Sequence, residues 1–253
     1  LGTGGSGSGG GGPPLDIALN RLTITEGIAL TDLRATLAGG SGQFTGRING
    51  AAPVEGVLVP QEGGTVVQIR GTDAGGILRS AGLFQDARGG TAILTLRPTG
   101  QAGLYRGALR MADLRVRNAP ALASLLQALS VVGILEQLGG EGLFFATVES
   151  DFDLRPDDIL VRRASAVGPS MSITADGIYD LGSKTLDMEG VISPIYLVNG
   201  LFGALFARRD EGLFGFTYRL RGAAANPQVQ VNPLSILTPG LFRDIFRRAP
   251  PGG

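Results

Sequence analysis

Short segments in which apolar and polar side chains alternate, separated by Gly, Pro and Asn-Gly turns, recur along most of this chain. A period of two puts the apolar side chains on one face of a strand, and regular short strands with tight turns favour an antiparallel meander. Ile17 and Leu19 alternate, and Leu22 and Ile24 continue one residue out of phase, which marks a bulge. Further strands are predicted at 28–37, 42–49, 54–59, 65–71, 91–97 and 105–116. They resume at 143–154, 159–167, 171–179, 185–191, 212–222 and 228–231. On most of them one face is apolar and the other carries Arg, Thr, Asp or Asn, as in a sheet covered on one side.

The stretch PALASLLQALSVVGILEQL at 120–138 breaks this pattern. Leu122, Leu125, Leu126, Leu129, Val132 and Leu135 recur at helical spacing, so one long apolar helix is predicted, capped by Asn118 and ended by Gly139-Gly140. A helix of that length rises roughly 28 Å, near the hydrocarbon thickness. Gln127, Glu136 and Gln137, with no basic collar at the C-terminal end, argue instead for a helix lying on protein or in lipid. A short helix is predicted in TDAGGILRSAGL at 72–83, capped by Thr72 or Asp73 and carrying Ile77, Leu78 and Ala81. The apolar stretch 192–206 reads as a turn and a short helix.

Residues 238–248 read as a short amphipathic helix. Leu241, Phe242, Ile245 and Phe246 share one face, and Arg243, Asp244, Arg247 and Arg248 the other. Such a helix can enter a membrane interface with its arginines on anionic headgroups, or close the end of the sheet as a lid. From Arg208 onward there are seven arginines against three acids, which favours a lipid-phosphate or membrane surface.

Composition narrows the function classes. Lys+Arg and Asp+Glu both number 22, so no global charge calls for nucleic acid. The chain has no cysteine and no histidine. Disulfides and thiolate chemistry are therefore excluded, and the usual general base and commonest transition-metal ligand are missing. A non-enzymatic protein without metal or cofactor is expected. No signal peptide or membrane anchor is visible, and the chain reads as a piece of something longer. Residues 1–14, LGTGGSGSGGGGPP, form a flexible linker with almost nothing apolar to bury, and 15–253 form one domain.

The densest acidic cluster, Asp151, Asp153, Asp157 and Asp158 in DFDLRPDD, lacks calcium-loop spacing and reads as a solvated strand face plus a turn. Gly-rich stretches such as 39–42 lack the P-loop Lys and Ser/Thr and read as turns. Phe44, Ile48, Val57, Ile69, Ile93, Leu109, Phe145, Phe152, Ile173 and Ile178 are candidates to line a lipid groove. They fit an ordinary buried core equally well, since both need a one-sided apolar strand.

Four stretches in this order resemble the C-terminal region of the AsmA-like family, particularly its large periplasmic members of the YhdP type. They are TDAGGILRSAGLFQDARGG at 72–90, the 120–138 helix with GGEGLFFATVESDFDL, residues 168–206, and EGLFGFTYRLRGAAANPQVQVNPLSILTPGLFRDIF at 211–246. The resemblance implies an elongated, curved antiparallel sheet forming a hydrophobic groove for phospholipid acyl chains, and it favours groove over core. It implies a periplasmic bridge between inner and outer membranes, anchored in the inner membrane of a Gram-negative bacterium, with this chain as its distal part. The outer-membrane surface and envelope proteins are the implied partners. A structural scaffold of the cell envelope, using a sheet edge or the apolar helix, is the competing expectation.

Overall fold

A computed structural model of the chain describes residues 13–194 and 215–232, apart from 26, 62, 63 and 102. The chain opens as a meander of β1 (Leu15–Thr25), β2 (Ile28–Ala38), β3 (Ser41–Ile48), β4 (Ala52–Gln61) and β5 (Gly64–Gly71). Helix α1 (Ala74–Ser80) and the two-residue β6 (Ala87–Arg88) precede β7 (Thr91–Pro98) and β8 (Tyr105–Val116). Helices α2 (Pro120–Ala128) and α3 (Val132–Gly139) come next. The meander resumes with β9 (Leu143–Leu154), β10 (Asp158–Val167), β11 (Met171–Asp180) and β12 (Thr185–Pro194). It ends with β13 (Phe216–Ala223) and β14 (Gln228–Asn232). All fourteen strands belong to one antiparallel sheet, in sequence order except that β6 lies off the path and pairs with β8. The sheet is open, with β1 and β14 at its edges.

The predicted phase change in β1 exists, and its cause lies next door. Asp32 on β2 has φ 51°. The apolar pairs Leu19–Leu33 and Leu22–Leu30 flank it in one register, and β1 and β2 shift register only further on, between Thr23 and Thr25. Strand β3 does not share the slip, so its register on β2 shifts between Thr31 and Arg34. A second slip occurs at Asp113, φ 56°, where the buried positions of β8 pass from Gly107 and Met111 to Leu114 and Val116.

The long helix predicted at 120–138 is two helices. Leu129 caps α2, and Ser130 turns left-handed at φ 56°. Its N–H donates to the Gln127 carbonyl at 2.9 Å, and the Val131 N–H donates to the Leu126 carbonyl at 3.0 Å. This is the Schellman pattern of helix termination, with Val131 and Leu126 both in the apolar cluster. The break lets both short helices turn apolar sides to the sheet, which a single straight rod could not do. The N-cap of α2 is Ala119, without a side-chain bond, so Asn118 does not cap it. Gly140 caps α3, and Asp73 caps α1 by accepting from the Gly76 N–H at 2.8 Å, both as the residues predicted. No helix among the described residues is long and apolar enough to cross a membrane. The helix predicted at 238–248 lies outside the described residues, as do most of 192–206 and of linker 1–14; residues 192–194 continue β12.

An antiparallel meander alternates its connections between two rims. The insertions carrying α1 and the α2–α3 pair both fall on the same rim, after β5 and after β8. The opposite rim carries the connections after β2, β4, β7, β9, β11 and β13, with no helix among their described residues. Helix α2 packs against β14 and α3 against β9, so the helical pair lies on the apolar face between those strands. Leu125, Leu126, Ile134 and Leu138 join Leu114, Val116, Leu143, Phe145, Met171, Ile192 and Tyr218 in one buried cluster. A smaller cluster of Leu30, Leu33, Phe44, Ile48, Ala52 and Val54 lies under β2 to β4, touched by Ile77 of α1.

Candidate functional site: the apolar face of the sheet

Register places each candidate groove residue on a definite face, because directly paired residues share one. Phe44 pairs with Gly56, Gly56 with Ile69, Ile69 with Leu94, and Leu94 with Leu109. Phe152 pairs with Gly107 and Val161, and Ile173 with Ala166 and Ile192. Ile48 pairs with Leu30, and Phe145 with Leu114. Phe44, Ile48, Ile69, Leu109, Phe145, Phe152 and Ile173 thus lie on the apolar face.

Val57, Ile93 and Ile178 do not. Val57 pairs with Gln43 and Gln68, Ile93 with Arg70 and Arg110, and Ile178 with Asp187. All three are exposed on the opposite, polar face, and they leave the candidate set. Strand β7 shows the physical reason. Its sequence TAILTLRP carries apolar residues at both parities, but Ala92, Leu94 and Leu96 outnumber Ile93 on theirs. On β7 the apolar face belongs to Leu94 and Leu96, and counting apolar residues by parity finds them.

Burial on the apolar face falls from one rim to the other. At the helical rim, Leu30, Ile48, Ala52, Ala92, Leu114, Leu143, Phe145, Met171 and Ile192 are all buried. At the turn rim, Leu37, Leu58, Val67, Leu96, Leu154, Ile159 and Leu186 remain partly open to solvent. Sequence reading singled out none of these seven. Between the rims, Ile69, Leu94, Leu109 and Phe152 are also only half-buried. The face is therefore sealed core where the helices sit and accessible apolar surface where only turns border it.

Two rings lie low on this face. A Cβ placed on Gly56 would clash with the Phe44 ring, and one on Gly107 with the Phe152 ring. Each ring covers the glycine opposite it, an arrangement that restores side-chain contact across a residue with none of its own. Tyr218 pairs with Gly190, where the Thr174 backbone comes closest, and donates its hydroxyl to the Thr174 carbonyl at 2.6 Å. Burial raises the Tyr218 pKa above the ordinary tyrosine value.

The polar face is held by cross-strand ion pairs. Arg110 of β8 pairs with Glu149 of β9. Asp153 accepts from Arg162 Nε at 2.8 Å, and Asp151 from Arg163 at 3.0 Å. Asp158 pairs with Arg155 at 3.3 Å. Three members of the acidic cluster are thus salted into strand or turn, as the solvated-face reading expects. Arg219 and Arg221 both bond Asp187, and the Arg219 bond is the main cause holding its carboxyl below the ordinary value. Across β1 to β5 the same face carries an open trough of about 810 Å³. Asp16, Arg34, Gln43, Glu55, Gln68 and Arg70 are among its walls, a mixed lining of both charges. No group of three or more His, Cys, Asp or Glu among the described residues could hold a metal ion.

No family model matches the chain, and neither a curated protein nor a solved structure matches it.

Proposed function

We propose that this chain is a non-enzymatic phospholipid-binding and transfer module whose apolar face takes acyl chains from the turn rim. The supporting observation is the burial gradient: one apolar face runs across the sheet, dry at the helical rim and half-open at the other. Lipid chains on the open part would replace water, worth roughly 0.8 kcal/mol for each methylene buried. The AsmA-like motifs support the same reading and would make the chain the distal part of a periplasmic bridge between inner and outer membranes. Envelope scaffolding is the second reading, and the long exposed edge at β1 favours it.

Adjacent residues on opposite faces provide the test. The chain is purified from a Gram-negative host, and its bound lipid is read by native mass spectrometry. Leu94→Asp and Leu96→Asp put charge on the half-buried apolar surface and should abolish lipid copurification. Ile93→Asp, between them in sequence but on the polar face, should leave it intact. Circular dichroism confirms that each variant is folded, because buried unpaired charge is costly. Equal lipid loading in all three folded variants, or none in the wild type, would reject the proposal. Phe145, buried at 4% exposure, would report on the core and not on lipid.

A further inference from the structure

The strand register shows how the trough of about 810 Å³ on the polar face is built. Its floor is backbone. Ile17, Ala35, Phe44 and Gly56 lie side by side on neighbouring strands and belong to the apolar face. One wall is the cross-strand row Asp16, Thr36, Gln43, Val57 and Gln68. The other is the row Ala18, Arg34, Thr45, Glu55 and Arg70. The trough therefore runs across the strands, and its four strand spacings span about 19 Å. That shape takes a short linear chain laid over the sheet.

Charge in the trough is left open, unlike charge on the rest of the face. From β8 to β13, Arg110, Arg162, Arg163, Arg219 and Arg221 each pair with a carboxylate. Glu55 and Arg70 are direct cross-strand partners, yet they make no ion pair, and Arg34 makes none with any described residue. Arg70 donates to Gln68 Oε1 at 3.0 Å, and Asp16 accepts from the Thr36 hydroxyl at 2.8 Å. Between them the side chains of Gln43, Thr45 and Glu55 make no hydrogen bond to a described residue.

We propose that the trough binds a linear oligosaccharide bearing carboxylates, laid across β2 to β5. The guanidinium forks of Arg34 and Arg70 suit carboxylates, which they bind with two parallel hydrogen bonds. Gln43 and Thr45 each donate and accept, and Glu55 accepts, which is what a row of sugar hydroxyls needs. No aromatic side chain stands in either wall to stack a base. No apolar pockets alternate along the trough to take the side chains of an extended peptide. The site lies on the face opposite the acyl surface and does not depend on lipid binding.

Isothermal titration calorimetry of the full chain with tetragalacturonate tests it. Saturable binding at one site per chain is expected. Arg34→Gln and Arg70→Gln should each weaken it about tenfold or more, the loss of a charge-assisted hydrogen bond. Arg110→Gln, on the same face but paired with Glu149 outside the trough, should leave it unchanged. Cellotetraose, of the same length without carboxylates, should bind at least about tenfold more weakly. All three arginines are exposed, and circular dichroism checks that each variant keeps the fold. No binding of tetragalacturonate, undiminished binding in both trough variants, or equal weakening by all three variants would each overturn the proposal. Tetraglutamate binding as tightly as tetragalacturonate would also overturn it, because the trough would then read charge and not sugar. Lipid copurification should be the same in the wild type and these variants, so this site and the acyl surface fail separately.

Discussion

Phe44 on β3 and Gly56 on β4 are directly paired, and the ring of one covers the backbone of the other. Phe152 and Gly107 repeat the relationship on β9 and β8. A ring in this position seals the strand below it and leaves the space above the sheet free. The apolar face thereby stays smooth with few aromatic residues.

Gly56→Ala and Gly107→Ala should therefore each destabilise the protein by about 1–3 kcal/mol, the range for overpacking. The added Cβ forces the ring upright. Urea unfolding followed by circular dichroism measures the loss. Gly82→Ala is not a fair control, because its φ is 72°. Gly133→Ala meets open space on α3 and should be neutral or mildly stabilising.

Asn49 ties three elements at the helical rim. Its Oδ1 accepts from the Ala29 N–H at 2.8 Å, and its Nδ2 donates to the Gly27 carbonyl at 2.8 Å and the Ser80 carbonyl at 2.7 Å. It does so at φ 47°. Asn49→Ala should cost about 2–4 kcal/mol, combining lost hydrogen bonds with a left-handed alanine. Asn49→Gly should cost less, since only the hydrogen bonds go. Denaturant midpoints of the two variants separate the contributions.

Ser130 holds the break between α2 and α3 at positive φ. Ser130→Gly should stabilise by about 0.5–1 kcal/mol, because glycine adopts that conformation freely. Ser130→Val should destabilise by about 1–2 kcal/mol, because a β-branched residue is strained there. A reversed order in thermal melts would mean that the helices are not broken at this residue.

Tyr218 links stability to alkaline pH. Its folded pKa is raised by burial, so its contribution is fully present below the unfolded value near 10 and is lost as pH rises above it. The unfolded chain then releases a proton that the folded chain keeps. Stability should fall by about 1.4 kcal/mol per pH unit above that point through this one group. Tyr218→Phe should be less stable at neutral pH, having lost the bond to Thr174, yet flatter between pH 10 and 11. Parallel slopes for the two proteins would contradict the burial of this hydroxyl.

Local chemistry alone made much of the fold legible. Strands β8 and β9 match the alternation read at 105–116 and 143–154, and α1 starts at the Asp73 cap. The β1 slip was visible in the spacing of Ile17, Leu19, Leu22 and Ile24. The helix break was harder to see, because Ser130 sits inside an unbroken apolar periodicity and its left-handed turn is stabilised by what both helices cover. The two-residue β6 has no pattern to read and exists through its pairing with Ala87–Val116 and Arg88–Arg115.

By itself, then, the sequence determined that this chain makes a one-sided antiparallel sheet, because apolar alternation and turn residues act within a few positions of each other. It also excluded histidine and cysteine chemistry outright. The tertiary structure alone decided which apolar residues face inward. Val57, Ile93 and Ile178 are as hydrophobic as Ile69 and Leu109, and pairing with Gln68, Arg110 and Asp187 turned them to the polar side. It alone decided, too, that both helical insertions crowd one rim, leaving Leu58, Leu96 and Leu154 half-open at the other. Which side chains are covered depends on strands and helices distant in sequence, and no local pattern carries that information.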